Sequence, residues 1–120
     1  MKELRLGVVE SHFAEIVWEH APMSTRQLVD WCAQELNWKR TTTYTVLKKM
    51  CERGIFKMDK GLVTVLIPRD EFFAIRSEQF VESAFEGSLP AFIAAFTTRK
   101  KPTAEEVEEI HRMIDQFGGK

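Results

Sequence analysis

Hydroxyl and cationic side chains recur at helical spacing in the segment RTTTYTVLKK, which runs from Arg40 to Lys49. In a helix, steps of about 100° per residue bring one group of them onto the same face. That group is Thr41, Tyr44, Thr45 and Lys48. Hydroxyls can bond to phosphates or base edges, threonine methyls can touch thymine methyls, and lysines can neutralise a nucleic-acid backbone. The solvated face of a three-helix bundle could have the same spacing, so the segment alone leaves both interpretations open.

The opposite face of this predicted helix is mostly apolar, and the charge around the helix is unevenly distributed. The opposite face carries Thr43, Val46, Leu47 and Met50. Between residues 36 and 60 there are seven cations and two anions, whereas five acids and two bases follow residue 101. The net charge of the whole chain is -1, which taken alone argues against a generally basic nucleic-acid binder. The asymmetry instead indicates a local basic surface offset by an acidic region elsewhere.

The surrounding elements predict a winged helix-turn-helix. A first helix is expected over residues 8–20, and a second opens at Ser24, where Gln27 can complete a capping box. The hydroxyl-rich segment is the third helix, and it is expected to end at Gly54. Within residues 55–67, two β-rich runs on either side of a glycine-containing turn predict a β-hairpin. In this arrangement the third helix enters the major groove, so the hairpin and the basic patch together favour DNA binding.

The chain after Pro68 predicts three more helices and an assembly surface. Helices are expected over residues 70–85, from Ser88 and from Thr103. Seven of the nine phenylalanines lie after residue 71, and about fifty residues of helix cannot enclose that many aromatic rings alone. A second copy of the chain could cover them, so we predict a two-fold homodimer. The residues expected at its interface are Phe80, Phe85, Phe92, Phe96, Val107, Ile110 and Ile114.

The predicted fold class is therefore mainly α with a small β-hairpin. Residues 1–68 are expected to form a winged-helix DNA-binding domain, and residues 69–120 a helical dimerisation region. The side chains expected to meet DNA are Arg40, Thr41, Thr42, Tyr44, Thr45 and Lys48, with Lys49 and Lys60 on phosphates. The alternative is a winged-helix protein-interaction module that does not bind DNA and uses the third helix to engage an acidic protein partner.

No feature of the sequence predicts catalysis, a metal site or a cofactor. His12, His20 and His111 lack the paired spacing of metal ligands, and there is no CxxC motif. Cys32 and Cys51 fall inside predicted helices, where they are expected to be small buried hydrophobes. The sequence contains no secretory h-region, lipidation motif or run of about 18 apolar residues. We therefore expect a cytoplasmic protein without membrane insertion.

Several residues together resemble the signature of the bacterial penicillinase and methicillin-resistance repressor family. They are Glu10 with Trp18, the run TTYTVLKKM at residues 42–50, Gly54, and Gly61 with Pro68. The match extends over nearly the whole chain. The resemblance implies a homodimeric transcriptional repressor with an N-terminal winged helix and a C-terminal helical dimerisation region, bound to a pseudo-palindromic operator in double-stranded DNA.

The resemblance also implies a route of regulation. In the best-known members a membrane sensor-protease relieves repression by cutting the middle C-terminal helix before a phenylalanine, and the matching bond here is Ala95–Phe96. The residue before that bond is asparagine in those members and alanine here. The position after the hairpin glycine is usually arginine in the family and is Leu62 in this sequence, which implies a smaller contribution of the hairpin to DNA binding.

Overall fold

The computed structural model describes residues 4–118, and the chain divides into two compact units. The first unit ends at Gln79 and the second begins at Phe80. The elements in chain order are α1 (Val8–His20), β1 (Met23–Ser24), α2 (Thr25–Leu36), α3 (Arg40–Glu52), β2 (Phe56–Asp59), β3 (Leu62–Val65), α4 (Arg69–Phe85), α5 (Leu89–Arg99) and α6 (Ala104–Phe117). The predicted fold class, mainly α with a small β-hairpin, is confirmed.

The start and the end of α2 follow from local side-chain chemistry. Ser24 Oγ accepts a hydrogen bond from the Gln27 backbone amide at 3.0 Å, and Gln27 Oε1 accepts one from the Ser24 amide at 2.9 Å. This reciprocal capping box satisfies two backbone donors at the helix start. At the other end Asn37 takes a φ of 57°, and its amide donates to the Ala33 carbonyl at 3.1 Å. The chain therefore leaves α2 through a left-handed residue and turns directly into α3.

One face of α3 lies in the core of the first unit. Thr43, Leu47 and Met50 are buried on that face, as their helical spacing predicts. The apolar members of this group belong to one cluster with Phe13 of α1 and Leu28 of α2. Because close packing holds the inner face in place, the opposite face of α3 is presented to solvent in one orientation.

The sheet has three antiparallel strands in the order β1-β3-β2. β2 and β3 form the predicted hairpin, which we call the wing, and its turn is made by Lys60 and Gly61 with φ angles of 52° and 79°. β1 was not predicted, because two residues are too few to show an alternating pattern. The Thr25 amide also donates to the Gly61 carbonyl at 2.9 Å, so the wing turn is fastened to the first residue of α2.

Aromatic side chains join the first turns of α4 to the core of the first unit. Trp18 Nε1 donates to the Ile67 carbonyl at 3.0 Å, and the Trp18 ring centroid lies 5.2 Å from that of Phe72. Phe72 is fully buried. The core therefore continues past residue 68 into α4, while the functional division of the chain at that residue stays a prediction.

The second unit contains the end of α4 together with α5 and α6. The hydroxyls of Ser88 and Thr103 cap α5 and α6, each accepting a 3.1 Å hydrogen bond from the amide three residues on. Three rings pack edge to face with centroid distances between 5.7 and 6.1 Å, those of Phe80, Phe85 and Phe92. Even so, none of residues 80–118 is buried. The unit is built from helices whose apolar faces do not enclose one another.

Candidate nucleic-acid interface

The outer face of α3 is exposed along most of its length. Thr41, Thr42, Thr45 and Lys48 are exposed, and Tyr44 is half-buried. The two faces of α3 therefore divide as the sequence predicts. These side chains offer hydroxyls and a cation, which are groups that can meet the donors and acceptors of base edges.

Arg40 and Tyr44 form a cation–π pair at the N-terminal end of α3. The Arg40 guanidinium carbon lies 5.4 Å from the centroid of the Tyr44 ring, within the range of a cation–π interaction. A guanidinium held over a ring keeps its planar set of donors available at the edge, and this set matches the two acceptors of guanine in the major groove. The geometry gives Tyr44 a role as a platform for Arg40.

Thr45 presents a methyl group and an acceptor rather than a free donor. Its hydroxyl donates to the Thr41 carbonyl at 2.9 Å, which uses the single hydrogen of the hydroxyl. The lone pairs that remain can accept from an adenine or cytosine amino group, and the methyl can contact thymine. A phosphate contact through this hydroxyl would require that the hydrogen bond to Thr41 first be broken.

The two adjacent lysines of α3 have different surroundings. Lys48 is exposed and has no ion-pair partner among residues 4–118. Lys49 Nζ lies 3.0 Å from Glu10 Oε2. The pKa of Glu10 is lowered from its ordinary value, first by the hydrogen bond from the Gly7 amide and then by Lys49. The sequence spacing could not predict that Lys49 has an acidic partner, because Glu10 lies on a different helix.

Lys60 and Leu62 lie at the tip of the wing. Lys60 is exposed in the turn, and Leu62 is 47% exposed at the position that follows the glycine. Lys57 on β2 is also exposed. Both lysines are available to an anionic ligand, whereas Leu62 offers only apolar surface.

The residues predicted to form a dimer interface all lie in the second unit. Phe85 and Phe92 are half-buried, and the exposed members are Phe80, Phe96, Val107, Ile110 and Ile114. An apolar groove between α5 and α6 is lined by Phe92, Phe96, Val107, Ile110 and Ile114, among others. The Ala95–Phe96 bond lies in the middle of α5, and both of its residues are exposed.

Titratable and thiol groups elsewhere have ordinary structural surroundings. His20 stacks on Trp31 with ring centroids 3.8 Å apart. Cys32 is buried, Cys51 is half-buried, and burial is the main cause that raises the pKa of each thiol. Among residues 4–118, no three His, Cys, Asp or Glu side chains come together as metal ligands. In the same part of the chain, no helix combines the length and apolarity needed to cross a bilayer.

Comparisons with known proteins find a family model and two proteins that match nearly the whole chain. Residues 6–116 match a family model described as penicillinase repressor. A penicillinase repressor of Bacillus licheniformis is 20% identical over 121 residues, which cover 97% of this chain and 94% of that protein. The methicillin resistance regulatory protein MecI of Staphylococcus aureus is 17% identical over 119 residues, which cover 96% of this chain and 97% of that protein.

Proposed function

The chain belongs to the penicillinase repressor family, whose members are transcriptional repressors and not enzymes, and from this membership we propose that it acts as a homodimer on a pseudo-palindromic DNA operator. The observation that carries the proposal is the composition of the outer face of α3. Hydroxyls and cations project from this face, while the inner face is locked into the core. Such a face suits the major groove, where base edges present donors and acceptors. In this proposal the protein acts on cellular DNA in the cytoplasm.

In this proposal different residues of α3 contact bases and phosphates of the operator. Arg40, resting on Tyr44, reads guanine, and Thr45 contacts thymine methyls or amino groups. Thr41 and Thr42 lie nearer the helix start, where they meet phosphates or base edges. Lys48 and, on the wing, Lys60 contact phosphates. The sequence also predicts a phosphate contact for Lys49, whose Nζ lies 3.0 Å from Glu10 Oε2.

Dimerisation in the proposal uses the apolar side chains of α4, α5 and α6. The exposed phenylalanines and the groove between α5 and α6 support this assignment, because a soluble chain rarely leaves such a surface uncovered. In a two-fold dimer each chain contributes one α3. The two half-sites should then be about 34 to 36 Å apart along the duplex, or a multiple of that distance.

Selection from a random duplex pool tests the proposal. At about 0.15 M salt nonspecific phosphate binding is largely suppressed, so an enriched inverted repeat would establish a sequence-specific dimer. Lys101→Met is a matched control, since Lys101 is exposed in the second unit and its loss should leave the enriched sequence unchanged. If the folded protein enriches nothing, the proposal fails in favour of a winged-helix module that engages an acidic protein.

A further inference from the structure

Glu10 connects the start of α1 to the end of α3. One of its carboxylate oxygens accepts a hydrogen bond from the Gly7 amide at 3.1 Å and lies 3.8 Å from Arg53 Nη1, while the other lies 3.0 Å from Lys49 Nζ. Arg53 also donates through Nη2 to the Arg5 carbonyl at 2.6 Å. One carboxylate therefore joins the helix cap of α1, Lys49 of α3 and Arg53 directly after α3, and Arg53 in turn contacts the segment that leads into α1.

This Glu10 cluster, meaning Glu10 with Gly7, Lys49 and Arg53, has more contacts and less exposure than an isolated surface ion pair. The Glu10 side chain is only 20% exposed, compared with 62% for Lys49. Its carboxylate is fixed by a backbone amide, and it has two cationic partners rather than one. Exposed ion pairs contribute more to stability when several charges form a network than when they are isolated.

We infer that Glu10 keeps Lys49 away from DNA, so that Lys49 is a positioning residue fastening the end of α3 to α1 rather than a phosphate contact. The inference rests on the proposed function and assigns the phosphate contact to Lys48. If Lys49 moved to a phosphate, Glu10 would lose the closer of its two cationic partners. The negative charge of the phosphate would also come nearer to the Glu10 carboxylate, which is unfavourable. Lys48 bears no such cost, since it has no ion-pair partner within residues 4–118.

Salt dependence of operator binding separates the two lysines, because each phosphate contact contributes about 0.9 to the slope of log K against log salt. Lys48→Met and Lys49→Met remove the same charge from neighbouring positions and are matched controls for one another. We expect Lys48→Met to make this negative slope shallower by about one unit. Lys49→Met should leave the slope unchanged and weaken binding about two- to fivefold, the range of an exposed ion pair.

A double-mutant cycle shows whether Lys49 acts through Glu10. Glu10→Gln should weaken binding at least as much as Lys49→Met, since it also removes the contact with Arg53, and the double variant should be no weaker than Glu10→Gln, because the contact between Glu10 and Lys49 is already lost. Lys49→Arg should retain most of the affinity, since a guanidinium can also reach Glu10. A general packing role for Lys49 predicts neither the non-additivity nor the retention of affinity by arginine.

The outcomes distinguish failure of this inference from failure of the proposed function. If the wild-type protein binds its operator and Lys49→Met lowers the salt slope as much as Lys48→Met, the inference is wrong and the repressor function stands. Additive losses in the Glu10 and Lys49 cycle would overturn it as well. If the folded wild-type protein binds no duplex, the proposed function is wrong and the inference falls with it.

Discussion

Both units of the molecule contain helices with apolar faces, but only the first encloses a core. Every buried residue of the described chain lies between Leu4 and Phe72. From Phe80 to residue 118 none is buried, although this part contains a cluster of phenylalanine rings. The difference arises because α1, α2, α3 and the sheet cover one another, whereas α5 and α6 leave apolar side chains exposed. The first unit thus encloses its core within one chain, whereas the second exposes the apolar surface that the proposed dimer would cover.

The largest expected effect tests whether the first unit is complete in a single chain. Phe13 is fully buried, and its ring centroid lies 5.8 Å from that of Trp38. Phe13→Ala should lower the free energy of unfolding by about 3 to 5 kcal/mol through lost burial and the cavity left behind. Urea denaturation followed by tryptophan fluorescence measures this loss, which should not depend on protein concentration.

Phe96→Ala is the counterpart of that variant in the second unit. The Phe96 ring is 53% exposed, so its loss should cost little within one chain and should act mainly on the dimer. Its effect should therefore shrink as protein concentration falls toward the monomer. The contrast between the units would be contradicted if Phe13→Ala and Phe96→Ala lowered the free energy of unfolding equally and independently of protein concentration.

A charge placed in the groove between α5 and α6 should dissociate the dimer. Ile114 lines that groove and is 54% exposed, and an aspartate there would be buried without a partner in a dimer. Ile114→Asp should raise the dissociation constant by about 100-fold, equivalent to about 2.7 kcal/mol. Sedimentation at micromolar concentration would detect the monomer, and far-UV circular dichroism would show that the helices are retained.

Glu108→Gln is the control on the same helix, since Glu108 is exposed and does not line the groove. It should sediment as the wild type does. A monomeric wild-type protein, or an Ile114→Asp variant that remains dimeric, would mean that the exposed face of the second unit is covered in some other way.

A smaller effect tests whether the exposed face of the first unit reads bases. Tyr44→Phe keeps the ring beneath Arg40, whereas Tyr44→Ala removes it. Because a cation–π contact at an exposed site contributes about 0.5 to 1 kcal/mol, Tyr44→Ala should weaken operator binding about two- to fivefold and relax the preference for guanine at one position. Binding to an operator series substituted at each position measures both effects. If Tyr44→Phe weakens operator binding as much as Tyr44→Ala does, the phenol hydroxyl is the important group and Tyr44 does not act as a platform for Arg40.

Local chemistry explains which parts of the fold could be predicted from the sequence. The capping box at Ser24, the helix start at Thr103 and the hairpin turn at Gly61 each depend on residues a few positions apart, and all three are confirmed. The inner face of α3 was predicted from its periodicity for the same reason. β1 was missed because a two-residue strand forms only through its pairing with β3, which is distant in sequence.

Pairings between distant residues explain what the sequence could not predict about the candidate site. Phe72 and Phe80 belong to the same helix and have the same residue type, yet the first is fully buried and the second is 51% exposed. Periodicity identifies an apolar face but not the surface that covers it. In the same way, adjacent Lys48 and Lys49 differ only because Glu10 reaches one of them from α1.

The smallest expected effect concerns the pH dependence of the first unit. The pKa of Glu10 lies below its ordinary value of 4.5, mainly because of the Gly7 amide and Lys49. A lowered carboxyl pKa stabilises the folded chain above the pKa of the unfolded state, and this contribution is lost as the pH falls through the folded value. Glu10→Gln should therefore be less stable than the wild type at neutral pH, and the difference should shrink as the solution is acidified. Urea midpoints measured from neutral pH downward would show this convergence, and a difference that stayed constant with pH would mean that Glu10 stabilises α1 by packing rather than by its charge.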